Sequence, residues 1–178
     1  MIIKSYEINK IDLNKSRFFL LYGKNDGLKD EIKNTLLKKK NNISIYEEKE
    51  VIDNSDNFIE QLGSKSLFEE RKTISINRVT DKIFKILFEI IDKNIEDLTI
   101  IIDAENLEKK SKLRSLFEKE KNCVCIPVYP DTQAILIKFA FEYLSKNKIP
   151  ISNSSINLIV NKCNGDRKVL LMELEKIQ

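Results

Sequence analysis

The sequence predicts an α/β domain with a parallel sheet and flanking helices, followed by a small three-helix bundle. Three observations carry this. Several short runs are nearly all apolar instead of alternating, as in Thr99-Ile-Ile-Ile-Asp103, which fits strands buried on both faces of a parallel sheet. Segments with helical spacing separate those runs, the order that gives right-handed β-α-β crossovers. Past Pro127-Val-Tyr-Pro130-Asp131 the strand pattern ceases and only helical periodicity continues.

The expected strands are Ile2–Ile8, Phe18–Tyr22, Ile43–Tyr46, Thr73–Asn77, Leu98–Asp103 and Cys123–Val128. Between them, helices are expected over Gly27–Lys39, Asp56–Leu62, Lys82–Lys93 and Lys112–Lys121. Leu28, Ile32, Leu36 and Leu37 give the first of these its apolar face. The two prolines at 127 and 130 stop the last strand, and Asp131 or Thr132 can cap the next helix. Ile135, Leu136, Phe139, Ala140, Tyr143 and Leu144 form one face of that helix. Ser152–Asn164 forms a second helix with Ile156, Ile159 and Val160 inward, and Gly165 ends it. Asp166–Ile177 supplies a third through Val169, Leu170, Met172, Leu174 and Ile177. The expected division is an α/β domain over residues 1–128 and a helical domain over 129–178.

Composition narrows the chemistry. The 178 residues carry 31 basic and 28 acidic side chains, a net charge of +3 that is too mild for a dedicated nucleic-acid binder. The densest basic run, Lys38-Lys39-Lys40, closes an expected helix, where cations suit the macrodipole. No apolar run approaches the roughly 20 residues that span a bilayer, and the first residues lack a basic-then-apolar leader, so a cytoplasmic protein without membrane partners is expected. Three cysteines without metal-ligand spacing point to reduced, buried thiols and no metal. The chain has no histidine, which removes Ser-His and Cys-His nucleophiles, the neutral-pH proton shuttle and the commonest metal ligand. This favours a binding or mechanical part over an enzyme.

The richest stretch is Arg17-Phe-Phe-Leu-Leu-Tyr-Gly23-Lys-Asn-Asp-Gly27-Leu28-Lys29-Asp30-Glu31, where an apolar strand runs into a glycine and then a helix. A phosphate-binding loop of the G-x-x-x-x-G-K-[S/T] type beginning at Gly23 would need glycine at 28, lysine at 29 and a hydroxyl at 30. Lys29 is in place. Leu28 sets a branched side chain where backbone must approach phosphate, and Asp30 sets a carboxylate where a hydroxyl should hold magnesium. Such ATPases also need a strand ending in an acidic pair. Leu98–Asp103 offers the strand and Asp103, but Ala104 follows and Glu105 comes one residue late. Gly23, Leu28, Lys29, Asp30 and Asp103 therefore read as degenerate nucleotide-site positions, and no cofactor is expected. Gly165-Asp166-Arg167-Lys168 could offer a cation to a phosphate; with no nucleotide to meet, those charges are expected to cap their helix or touch a neighbour.

The order of elements resembles a known family. The carrying segments are Tyr22-Gly23-Lys-Asn-Asp26, Ser66-Leu67-Phe68, Arg71-Lys-Thr-Ile-Ser-Ile-Asn77, Leu98-Thr-Ile-Ile-Ile-Asp-Ala-Glu105, Lys110-Ser-Lys-Leu-Arg-Ser-Leu-Phe117, Ile126-Pro-Val-Tyr129 and Asn164-Gly-Asp-Arg-Lys168. Together, over essentially the whole chain, they look like the delta subunit of bacterial DNA polymerase III, a clamp-loader component with a degenerate AAA+ module. The resemblance implies a RecA/AAA+-like sheet domain and a helical lid. It also implies a non-catalytic subunit of a nucleotidyltransferase holoenzyme, which binds the sliding clamp (beta subunit) and opens or holds open its ring for loading onto primed DNA. Sister subunits (gamma/tau, delta prime) hydrolyse the ATP, and any DNA contact would be to phosphate. Members carry a further all-helical collar domain that is absent here. Because the chain stops within a helical pattern at Glu173-Leu-Glu-Lys-Ile-Gln178, a fragment is expected.

The family's clamp contact maps onto Leu67 and Phe68, preceded by Ser66. On their own terms these are two large apolar residues between the polar runs Gly63-Ser-Lys-Ser66 and Glu69-Glu-Arg-Lys72. They either fold back under the adjoining helix or enter a partner's pocket, where each could contribute roughly 1.5–3 kcal/mol. Gln61 and Leu62 lie upstream at a longer spacing than in compact Gln-x-x-Leu-Phe clamp-binding peptides. Two other functions stay open: an active nucleotide-binding AAA+ or P-loop ATPase with an unusual loop, and an AAA+-like adaptor in another DNA transaction. The first requires affinity for ATP. The second requires a DNA-reading element such as a helix-turn-helix, and the sequence offers none.

Overall fold

The computed structural model describes every residue except 14, 38–42, 64–71 and 178. The Lys38–Lys40 run and the Ser66-Leu67-Phe68 segment thus lie outside the described residues. Five strands, β1 (Phe18–Tyr22), β2 (Ile43–Glu47), β3 (Lys72–Val79), β4 (Leu98–Ala104) and β5 (Cys123–Pro127), form one sheet in the order β2-β3-β4-β1-β5. Every pairing is parallel. The helices are α1 (Asp26–Leu37), α2 (Glu48–Asp53), α3 (Ser55–Gly63), α4 (Phe84–Asp92), α5 (Lys112–Lys119), α6 (Gln133–Lys146), α7 (Asn153–Lys162) and α8 (Arg167–Glu175). This is the RecA/AAA+-like arrangement, with flanking helices and a helical C-terminal part.

The chain divides into two compact units, one of Met1–Gly23 with Ile32–Pro127 and one of Lys24–Glu31 with Val128–Gln178. In the first, register sets the core. Phe18 pairs with Ile100 and Cys123, and Ile100 with Ile74, so their side chains share one face. On that face they join Leu87 and Ile90 of α4, Leu113 and Phe117 of α5, and Phe58 and Leu62 of α3 in a single apolar cluster. All five residues of β1 and of β5 are buried, as an all-apolar run in a parallel sheet requires. Helix α5 starts where Ser111 accepts from the Arg114 amide at 3.1 Å, and Asp81 holds that turn by accepting from Ser111 Oγ at 2.7 Å and the Leu113 amide at 3.0 Å.

The second unit packs α6, α7 and α8 around Leu136, Ala140, Leu144, Ile156, Val160, Leu170 and Leu174. Each helix opens on a side-chain cap, from Thr132, Ser152 and Asp166 respectively.

Three expectations need correction. Ile2–Ile8 is not a strand: Ile2 makes an isolated parallel bridge to Cys125, and Ser5–Lys10 closes into a 3-10 helix. Helix α2 is not foreseen because it has a single buried residue, Val51, in a charged stretch; a capping box between Glu47 and Glu50 starts it. In the bundle, Ile135, Val169, Met172 and Ile177, expected inward, are 41–51% exposed, and α8 ends at Glu175.

Candidate functional site

The degenerate nucleotide-loop positions fall in both units. At the end of β1, Gly23 has φ of 138°, a conformation side-chain-bearing residues rarely adopt, and its amide donates to the Glu105 carbonyl at 3.0 Å. Asp103, near the end of β4, is held by an ion pair to Lys33 of α1, whose Nζ also donates to Asn77 Oδ1 at 3.3 Å. A lysine of the fold therefore occupies the carboxylate that a magnesium site would require. Glu105 lies beyond the strand and is exposed.

The other loop positions, Leu28, Lys29 and Asp30, belong to the second unit. Asn25 caps α1, its Oδ1 accepting from the Leu28 amide at 3.1 Å, so that amide is committed within the loop instead of facing an anion. Lys29 is 3% exposed and its Nζ lies 2.8 Å from Asp26 Oδ1, where a working loop would aim the ammonium at a phosphate. Asp30 pairs with Lys168 at 3.1 Å.

Arg167, the cation within reach of a phosphate by sequence, is spent internally. Its Nε and Nη2 contact the two Asp131 carboxylate oxygens at 2.7 and 3.1 Å, and Nη1 lies 2.6 Å from Glu31 Oε2. Such a fork-to-carboxylate pair is among the strongest ionic geometries in proteins. The guanidinium also stacks 4.9 Å from the centre of the Phe139 ring. Asp131 accepts in addition from Asn25 Nδ2 at 2.9 Å, while Thr132, not Asp131, caps α6. At the start of α8, Asp166 Oδ1 takes the Lys168 and Val169 amides at 2.7 and 3.1 Å, closing that helix terminus to an anion.

Backbone approach completes the closure. A Cβ on Gly27 would sit 2.8 Å from the Lys168 backbone nitrogen and 3.1 Å from Arg167 Cβ. Sequence reasoning misses this: Gly27 reads only as the start of an expected helix, and its contact with α8 shows why glycine is needed. Asp131 reads as a cap alone, since nothing local in sequence ties it to Arg167. Taken together, these residues do not fit a nucleotide triphosphate with its metal.

The cysteines are held as thiols. The Cys123 and Cys125 thiols, buried in β5, are pushed up to about 12 by desolvation, and burial also raises Cys163, so none offers a ready thiolate. Among the described residues no group of three or more Cys, Asp or Glu side chains is placed to hold a metal ion, and no helix is long and apolar enough to cross a membrane.

The clamp-contact positions Ser66, Leu67 and Phe68 lie outside the described residues. Their neighbours are informative: Leu62 is 5% exposed within the sheet core, and Gln61 sits on α3 with its Nε2 donating to Asn57 at 3.3 Å. Leu62 is thus a core residue and not part of a binding peptide.

Neither a protein-family model nor a curated protein sequence matches the chain. Among solved structures, the Bacillus subtilis DNA clamp loader delta protein aligns with 97% of this chain and 56% of its own, at TM-score 0.64 and 17% identity. The Thermotoga maritima RuvB Holliday junction branch migration motor aligns with 89% of this chain and 53% of its own, at TM-score 0.57 and 15% identity. Domain III of the Thermotoga maritima replication initiation protein DnaA aligns with 93% of this chain and 77% of its own, at TM-score 0.57 and 14% identity. The chain spans about half the length of the first two. The likeness is one of fold, a RecA/AAA+-like parallel sheet with flanking helices.

Proposed function

We propose that this chain is the ring-gripping module of a bacterial clamp loader, a delta-type subunit that binds the sliding clamp and opens or holds open its ring without hydrolysing ATP. The observation that carries the reading is the closed nucleotide loop, in which Lys29 and Arg167 are neutralised by Asp26 and Asp131. An AAA+ scaffold that keeps its sheet while committing its loop cations internally is suited to mechanical work driven by others. The fold likeness to a clamp loader delta protein over 97% of the chain supports the same reading. Residues 1–128 and 129–178 then serve as the sheet domain and lid. The other loader subunits (gamma/tau and delta prime) and primed DNA, met through phosphates, complete the partner set in the bacterial cytoplasm.

The gripping residues are Leu67 and Phe68 with Ser66 before them, supported by their isolation between polar runs and by the family resemblance. The test is equilibrium binding of the chain to an immobilised sliding clamp from the same organism. With about 1.5 kcal/mol or more from each side chain, Leu67→Ala with Phe68→Ala should weaken binding by about a hundredfold or more, with an unchanged circular dichroism spectrum. A folded double variant that binds as tightly as the parent overturns the assignment.

A further inference from the structure

Residues Lys24–Glu31 group with the helical unit, although α1 continues into the sheet unit from Ile32. Two kinds of contact hold them there. One is ionic: Asp131 bridges Asn25 and Arg167, Glu31 takes Arg167, and Asp30 takes Lys168. The other is steric: Gly27 lies so close to the Lys168 amide that any side chain would force a shift.

We infer that this clasp replaces a nucleotide as the element that fixes segment 24–31 against the start of α8, so that the helical unit keeps one arrangement whether or not adenine nucleotide is present. A phosphate-binding loop and a nearby arginine can both take a bound phosphate as their partner. Here the Asp131 carboxylate is that partner, covalently part of the chain and therefore never released. The ion pairs point the same way. Lys29 meets Asp26, Arg167 meets Asp131 and Glu31, and Lys168 meets Asp30. A polyanionic triphosphate would have to displace carboxylates already seated on the arginine. The clasp is independent of ring binding and shares with it only the absence of ATP turnover.

Amide hydrogen exchange followed by mass spectrometry tests it on the whole chain, with and without millimolar ATP and magnesium. Exchange across 24–31 and 167–170 should be the same in both conditions. Asp131→Asn should accelerate exchange in both segments together by at least tenfold, because one carboxylate ties both, while β1 and β4 stay protected. Gly27→Ala should do the same without altering charge. Should Asp131→Asn also expose the sheet, Glu31→Gln serves instead, since that carboxylate is 56% exposed and still reaches Arg167. ATP-induced protection of 24–31 in the parent chain overturns the inference. So does unchanged exchange in Gly27→Ala together with either carboxylate variant. No clamp enters this measurement, so its failure is separate from failure of the ring-binding proposal.

Discussion

In the sheet unit, Phe18, Leu20, Ile100 and Phe117 are wholly buried among other hydrocarbons. In the helical unit, the contact between segment 24–31 and α8 is made by carboxylates, an arginine, a lysine and a glycine. Apolar packing is non-directional and tolerates drift among similar side chains, so the sheet can persist through large sequence change. An ionic clasp is directional: each group needs its partner, and a lone survivor is costly. The contrast teaches that general forces hold the sheet, while specific ones hold segment 24–31.

That contrast can be broken at graded points. The largest loss belongs to the sheet: Phe117→Ala should cost about 3–5 kcal/mol in urea unfolding, as the ring fills a fully buried site in the cluster shared with β1 and β5. Arg167→Ala comes next, at about 3 kcal/mol, because it strands the Asp131 carboxylate, whose side chain is only 4% exposed. Here the comparison sharpens. Arg167→Met combined with Asp131→Leu should recover most of that loss, since removing both charges leaves no orphan, whereas no second polar change rescues Phe117→Ala. Smallest is Lys168→Met, within about 1 kcal/mol, because the pair with Asp30 is half exposed and screened. Its pH dependence has a fixed sign. Hydrogen bonding to Asp30 raises the Lys168 pKa from 10.5, so the contribution is complete below about pH 10.5 and vanishes as the pH rises further. Parent and variant should converge in stability there; a gap that widens with alkalinity refutes the pair.

The legible parts of the molecule are those written in local pattern. The nearly all-apolar runs of β1, β4 and β5 announce a buried parallel sheet, and the prolines at 127 and 130 announce the change to helices. Less legible are elements fixed by distant partners. Ile2 and Ile3 look strand-like, but only a short stretch meets β5, through the Ile3 amide to the Cys125 carbonyl at 3.0 Å. Helix α2 is announced by Glu47 and Glu50, a weak signal in a run of charges. At the loop, the defects at Leu28 and Asp30 can be read against a motif. The pairing of Arg167 with Asp131 spans 36 residues and follows no local rule, so the cation is visible in sequence without its counterion.

The seating of Arg167 on Asp131 also bears on any attempt to build a nucleotide site here. Placing glycine at 28 and threonine at 30 would not open a socket, since the arginine would still be occupied and Gly27 still pressed against α8. The second change would also strip Lys168 of its carboxylate. At position 27 the requirement for glycine comes from α8 and not from phosphate.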